Sequence, residues 1–235
     1  MNRKFRLTLL ALGGTLAVAG CGTAGLAPAS VKGAAAPATK STERFFPANP
    51  DAVWQYEVTA HPADDPDVDY KGTETVTVDS IRRNGAETVL KLRAIDEFTQ
   101  RYRFPVVTEG PNGVTIQNVD YWGAAAAEVQ GLTIQFLQFP LTTGARWDDG
   151  AWIGKALRKE TVKVPAGSFE AWNIDVIGTH DQRYTAVGHY WVAPGKGIVK
   201  SELSIPGWNI ESVMIPAGKA KKQAPGARPL PKLGR

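Results

Sequence analysis

Residues 75–94 read TVTVDSIRRNGAETVLKLRA, and this stretch decides the fold class. Val76 and Val78 alternate with threonines before a turn signal, and Leu90 and Leu92 alternate with basic residues after it. A period of two with one polar face is typical of antiparallel strands whose other face lies in the core. The stretch therefore predicts a β-hairpin with one apolar and one solvated face.

The turn of this hairpin sets its register. An Asn84-Gly85 pair first suggests a two-residue turn, but that turn places Val78 opposite Lys91. A three-residue loop, Arg83-Asn84-Gly85, places Val78 opposite Leu90 instead. We expect the three-residue loop, because a slip by one residue moves every side chain to the other face.

The same alternation recurs along residues 44–216, in runs that start near Trp54, Phe98, Val114, Leu132, Val162, Trp172, Val199 and Trp208. The single helix candidate is Ala124–Gln130. A sheet with an apolar face and no helical layer must cover itself. The sequence therefore predicts an all-β antiparallel fold of about ten strands with at most one short helix. We expect a curled sheet, a half-barrel or barrel, and the alternative is a β-sandwich.

The start of the chain has the pattern of an export signal. Three basic residues precede the apolar run Leu7–Val18, which is too short to span a membrane as a mature helix. The run ends in Val18-Ala19-Gly20-Cys21, which resembles the lipobox of bacterial lipoproteins. The resemblance implies that residues 1–20 are a lipoprotein signal peptide and that Cys21 is lipidated and anchors the protein to a membrane.

The remaining chain divides into three parts. Residues 21–43 hold the lipidated cysteine and a flexible tether of mainly Ala, Gly, Pro, Ser and Thr. Residues 44–216 form a single β-rich domain, long enough to bury a core without a disulfide. Residues 217–235 are a basic tail with three prolines, which we expect to be disordered.

The net charge of +4 comes from the two ends of the precursor. The signal holds three basic residues and the tail six, with no acid in either, which leaves 18 basic and 23 acidic residues in 21–216, a net charge of −5. A nucleic-acid partner is therefore not expected. The tail is either solvated or contacts anionic lipid or the cell wall.

The location follows from the signal. We expect an exported protein anchored to the bacterial envelope. Gly22 follows the cysteine, where an Asp resembles a signal for retention in the inner membrane. Its absence favours the periplasmic face of the outer membrane, or the outer face of the plasma membrane in a bacterium with a single membrane.

Three segments of the second half resemble a known family. They are Pro140–Trp147 (PLTTGARW), Val162–Trp172 (VKVPAGSFEAW) and Tyr190–Lys200 (YWVAPGKGIVK). Together they are similar to an uncharacterised family of exported bacterial domains that is called DUF-3108-like. The resemblance implies an antiparallel β-rich fold and an envelope location, and it assigns no catalytic residue.

No catalytic pattern is present in the sequence. The three histidines lack metal-ligand spacing, and no serine lies in a Gly-x-Ser-x-Gly elbow. Asp65, Asp67 and Asp69 have the first spacings of a calcium loop, but Tyr70 and Val76 stand where Gly and Glu are required. We expect a solvated loop there, no metal, no cofactor and no enzyme activity.

Aromatic residues are the remaining signal, with seven tryptophans in the chain. They fill a sheet-only core or line a concave face for an apolar ligand. The candidate ligand-binding residues are Trp147, Trp152, Trp172, Tyr190, Trp191 and Trp208.

Three classes of function remain. The first is a membrane-anchored envelope module that binds an apolar or amphipathic small molecule, such as a lipid, on a concave aromatic face. The second is a structural or interaction lipoprotein that docks on a partner or the cell wall. An enzyme ranks last. The oligomeric state is left open.

Overall fold

The computed structural model describes residues 43–65, 67–96, 101–117, 133–150, 152–180, 184–205 and 207–218. The signal, Cys21, nearly all of the tether, the helix candidate Ala124–Gln130 and the tail from residue 219 lie outside these residues. Among the described residues none is helical, and thirteen strands are found.

Thirteen strands follow one another over the described part of the chain. They are β1 (Val53–Pro62), β2 (Tyr70–Asn84), β3 (Glu87–Asp96), β4 (Arg101–Arg103), β5 (Val106–Gly110), β6 (Gly113–Gln117), β7 (Thr133–Gln138), β8 (Arg146–Asp148), β9 (Trp152–Val164), β10 (Gly167–His180), β11 (Tyr184–Ala193), β12 (Gly197–Ile205) and β13 (Trp208–Ile215).

All strands belong to one antiparallel sheet with the order β7-β6-β5-β3-β2-β1-β13-β12-β11-β10-β9-β8, and β4 pairs with β3 beside this path. Most neighbours in the sheet are also neighbours in sequence, and β1 joins the two halves by pairing with β13. The sheet curls until its two edges approach each other and nearly closes into a barrel. The predicted all-β, curled antiparallel sheet is confirmed.

Side chains connect the two edges of the sheet. The indole Nε1 of Trp147, on β8, donates to the backbone carbonyl of Gln135 on β7 at 2.7 Å. The backbone N–H of Gln135 in turn donates to Oδ2 of Asp149 at 3.1 Å, and Oδ1 of Asp149 accepts from the N–H of Trp152 at 2.8 Å. The Trp147 indole and the Asp149 carboxylate thus form hydrogen bonds with the backbone of β7, in the place of a neighbouring strand.

The β2–β3 hairpin corrects the predicted loop. The turn has two residues, Gly85-Ala86, so the expected three-residue loop is wrong. Val78 lies opposite Leu92, because a β-bulge at Asp79 adds one residue to β2. Beyond the bulge Ile81 lies opposite Leu90. The apolar faces of the two strands do match, as expected. The match comes from the bulge in β2 and not from the length of the turn.

A short segment at the start of the described chain closes one end of the barrel. Phe45 and Phe46 are buried, with 1% and 6% of their surface exposed. Their backbone N–H groups donate to the Glu109 carboxylate at 2.7 and 3.2 Å. The Phe45 carbonyl accepts from Gly197 at 2.8 Å. We call residues 44–46 the plug, and this end of the barrel the plugged end.

The plugged end also carries the turns of hairpins β2–β3, β5–β6, β9–β10 and β11–β12. The opposite end carries the connections β1–β2, β8–β9 and β12–β13. Inward-facing apolar side chains from nearly every strand form one continuous core between the two ends. No helix long and apolar enough to cross a membrane exists among the described residues.

Candidate functional site

A cavity of about 180 Å³ lies inside the barrel and is partly open to solvent. Strands from both halves of the sheet form its wall. Its apolar lining consists of Phe46, Trp54, Val76, Leu92, Ala94, Pro105, Val107, Ile116, Ile134, Phe136, Ile198, Leu203 and Ile210. A close-packed interior leaves few voids larger than a water molecule, so a space of this size is a distinct feature.

The polar side chains of the wall are grouped, and we call them the polar belt: Tyr56, Glu74, Arg103, Ser201 and Ser212. Tyr56 lies opposite Glu74 in the β1–β2 ladder, and Ser201 lies opposite Ser212 in the β12–β13 ladder. The guanidinium of Arg103 forms an ion pair with the Glu74 carboxylate. Both side chains are mostly buried, with 17% and 14% exposed.

The register separates the polar belt from the deepest apolar part of the wall. On β1 and β2, Trp54 and Val76 lie one inward step closer to the plugged end than Tyr56 and Glu74. On β12, Ile198 lies closer to the plugged end than Ser201. On β1 and β2 the cavity is therefore apolar toward the plugged end and polar further from it, whereas on β12 and β13 Leu203 and Ile210 continue the apolar lining beyond Ser201 and Ser212.

The plugged end of the cavity is held in place by hydrogen bonds. Trp54 and Phe46 form this part of the wall. Both rings approach Gly197, where the backbone has a φ of +77° that favours glycine. The indole of Trp54 donates to the Lys196 carbonyl at 2.6 Å, which ties β1 to the β11–β12 turn.

Tyr56 stays protonated in this environment. Burial, and secondarily the Glu74 carboxylate, raise the pKa of the Tyr56 phenol far above its usual value. The hydroxyl donates to the Ile198 carbonyl at 2.8 Å. Tyr56 therefore supports the wall as a fixed donor, and no proton transfer is expected from it near neutral pH.

The six aromatic residues that the sequence suggested do not meet at one place. Tyr190 lines the cavity and packs edge-to-face on Phe136, with ring centroids 5.0 Å apart. The other five do not contact the cavity. Trp172 and Trp208 are half-buried against the core, and Trp208 packs edge-on against Tyr70.

Trp147 and Trp152 are buried in the wall, with 5% and 6% exposed. Each lies directly opposite a glycine in the ladder, Gly154 for Trp147 and Gly178 for Trp152. A Cβ on these glycines would lie about 2 Å from the indole ring (1.9 and 2.1 Å). The glycines thus provide the space into which the rings fit.

Trp191 lies on the outer face of the sheet within a polar network. Its Nε1 donates to Glu160 at 2.7 Å, and Asn173 Nδ2 donates to the same carboxylate at 3.0 Å. Lys200 lies over the ring, 4.9 Å from its centroid. Hydrogen bonds from Asn173, Trp191 and Arg158 lower the pKa of Glu160 to about 2.

The acidic loop is engaged in surface ion pairs. Asp69 lies 2.8 Å from Nδ1 of His61 and 3.6 Å from Nζ of Lys71. Asp65 and Asp67 are exposed. In the part of the chain that the structure describes, no three His, Cys, Asp or Glu side chains are placed to hold a metal ion together.

Sequence reasoning missed the residues that define the cavity. The strand pattern predicts Trp54 and Tyr56 only as strand residues and Arg103 as part of a polar face, and it does not single out Glu74. Their positions in the sequence are the available signal. Glu74 lies two residues before Val76, on the face of the strand that carries the valines, and Arg103 lies between Tyr102 and Phe104. A charged residue at an inward position needs a partner, which each provides for the other.

The sequence has no match among family models and no match among curated proteins. Two solved structures are similar in fold. One is a "putative lipoprotein" from Parabacteroides distasonis, with a TM-score of 0.51 and 13% identity over 74% of this chain and 98% of that one. The other is a "putative exported protein with YmcC-like fold" from Bacteroides fragilis, with a TM-score of 0.50 and 17% identity over the same shares.

Proposed function

We propose that this chain is an exported, membrane-anchored lipoprotein that binds an apolar or amphipathic small molecule inside its barrel. The observation that carries the proposal is the cavity, with its apolar wall and its grouped polar side chains. Such a lining is typical of small-molecule sites, which are mostly apolar with a few placed polar groups. We further propose that the protein acts by binding and not by catalysis.

The size of the cavity supports a bound molecule. An apolar cavity of about 150 Å³ is large enough to bind benzene. A ligand that fills the space would gain contacts with the apolar wall that solvent does not make.

The anchoring proposal rests on the signal at the start of the chain and on the names of the two similar structures. We propose that Cys21 is lipidated and that the chain belongs with the DUF-3108-like exported domains. Cys21→Ser should abolish incorporation of labelled palmitate and release the protein from membranes. Unchanged labelling and membrane retention of this variant would refute the anchor.

The binding test uses residues 21–235 with Cys21→Ser, so that no acyl chain is added. Trp54 is the tryptophan of the described residues that lines the cavity, so a bound fluorescent fatty acid should quench it. Native mass spectrometry of protein purified from its own kind of cell should show added mass. Saturable quenching that Trp54→Phe removes would support binding at this place.

A pair of variants separates the cavity from other apolar surface. Ala94 is buried in the cavity wall, so Ala94→Phe should fill the space and weaken binding at least tenfold. Ile177 is 40% exposed and does not line the cavity, so Ile177→Phe should bind as the wild type does. Equal binding by both variants, or no binding by the wild type, would refute the proposal.

A structural or interaction lipoprotein is the second candidate. Tyr102 and Phe104 favour it, because these aromatic residues are 62% and 55% exposed on and beside β4. Exposed aromatic side chains are enriched where proteins dock. A flat ligand titration, combined with a crosslink from position 102 or 104 to an envelope protein, would favour this function.

We also propose that the basic tail acts beside the anchor. The chain reaches residue 218 at the plugged end, where Gly218 donates to Gln55, and six basic residues follow. Contact of these residues with anionic lipid or the cell wall would add to the lipid anchor. The outer membrane is the favoured location, or the plasma membrane in a bacterium with a single membrane.

A further inference from the structure

We infer that the ligand is a single-chain amphiphile with an anionic headgroup, bound with its chain toward the plugged end and its headgroup at Arg103. This inference rests on the proposed binding function and adds the ligand class and its orientation. It follows from the layering of the cavity and from the ion pair in its wall.

The layering of β1 and β2 sets the orientation. The wall toward the plugged end is formed by Phe46, Trp54, Val76 and Ile198, which offer no charge to a ligand. On β1 and β2, Tyr56 and Glu74 lie one inward step further from the plug. A headgroup at the Glu74–Arg103 pair therefore leaves this apolar wall for the chain. The reverse direction would bury the headgroup among apolar side chains without a partner.

The ion pair points to the headgroup. Removing Arg103 and Glu74 from water has a free-energy cost that an apolar pair of similar volume would avoid. Stability alone therefore gives little reason for a charged pair in a mainly apolar cavity. A guanidinium has five N–H donors in a planar fork that matches a carboxylate or phosphate. We infer that Arg103 bridges Glu74 and the anionic group of the ligand.

Neighbouring groups are suited to the same role. Ser201 is mostly buried at 7% exposure and faces Ser212 across the ladder. Hydroxyls of this kind donate to an anionic oxygen without adding charge. Arg103 lies on β4, a strand of three residues that pairs with β3, and its side chain reaches the Glu74 carboxylate in the cavity wall.

The test compares four probes with the same six-carbon chain, whose length suits a cavity of about 180 Å³: hexanoate, hexyl phosphate, methyl hexanoate and hexylamine. Each is titrated into residues 21–235 with Cys21→Ser, by calorimetry below the micelle concentration. We expect the anionic probes to bind at least tenfold more tightly than the ester and the amine. The relative affinity of carboxylate and phosphate then indicates whether the natural headgroup is a carboxylate or a phosphate.

Two variants locate the effect. Arg103→Gln should remove the preference for the anionic probes and leave binding of the ester within about twofold. Glu74→Gln removes the competing carboxylate, so it should keep or strengthen binding of the anionic probes. If Arg103→Gln does not fold, the Glu74→Gln result and the wild-type probe order still decide.

The outcomes separate the two proposals. Equal binding of all four probes would overturn the headgroup inference and leave the binding function standing. A preference for hexylamine would also overturn it, and would assign the headgroup to Glu74, the carboxylate of the cavity wall. No binding of any probe, including the ester, would refute both the inference and the binding function.

Discussion

Gly154→Ala should loosen the closure of the barrel, because the added Cβ would lie 1.9 Å from Cε2 and 2.1 Å from Nε1 of Trp147. The Trp147 ring has to move, because it is buried in the sheet wall and overlaps the position of the new Cβ. Moving it breaks the 2.7 Å hydrogen bond to Gln135, worth about 1 kcal/mol, and exposes an indole that is now 5% exposed. Truncating a buried tryptophan costs about 3–5 kcal/mol. We therefore expect Gly154→Ala to lower the free energy of unfolding by a similar amount.

A double-mutant cycle tests this cause. Trp147→Ala alone should also cost about 3–5 kcal/mol, and the double variant should cost no more than Trp147→Ala, because no ring remains to collide with the Cβ. Ile153→Ala, on the exposed neighbour, should cost less than about 1 kcal/mol. Urea unfolding followed by far-UV circular dichroism gives the four values. Additive costs for Gly154→Ala and Trp147→Ala would refute the reasoning.

Two further predictions concern carboxylates with defined partners. Glu109→Ala leaves the N–H groups of Phe45 and Phe46 without their acceptor, so it should lower the free energy of unfolding in urea by about 2–4 kcal/mol. An unchanged unfolding midpoint would show that these hydrogen bonds do not hold the plug. Glu160 has a pKa lowered to about 2 in the folded state, so its contribution to stability is complete above pH 4.5 and is lost as the pH falls toward 2. Trp191→Phe removes one donor and should raise the Glu160 pKa in an NMR titration, and an unchanged midpoint would show that this hydrogen bond does not hold the carboxylate.

The fold class could be predicted because strand alternation is a local property. A run of Val, Leu or Ile at every second position identifies the buried face of a strand without reference to the rest of the chain. Because the sequence has almost no helical periodicity, the apolar face of the sheet must be covered by the sheet itself. The register of β2–β3 could not be predicted in the same way. A three-residue turn without a bulge and a two-residue turn with a bulge produce the same match of apolar faces. The sequence around Asp79 does not distinguish these two arrangements.

The cavity was out of reach for a different reason. Its wall is assembled from strands that are far apart in sequence, and an empty space has no residue of its own to mark it. Of the six aromatic residues that the sequence indicated, Tyr190 lines the cavity, whereas Trp147 and Trp152 fill the space above glycines in the sheet wall. Gly154 and Gly178 were the usable signal, because a glycine inside a strand often marks the close approach of another group.

The plug has a mechanical consequence. If Cys21 is held in a membrane, a pulling force between the membrane and the barrel acts on the described part of the chain first at its start, beside residues 44–46. There it is resisted by the bonds from Phe45 and Phe46 to Glu109 and by those from Gly195 and Gly197 to the carbonyls of Arg44 and Phe45. Phe46 belongs to the cavity wall, so extraction of the plug under load would open the cavity from its apolar side. Tension on such an anchor would then act on the cavity through Phe46.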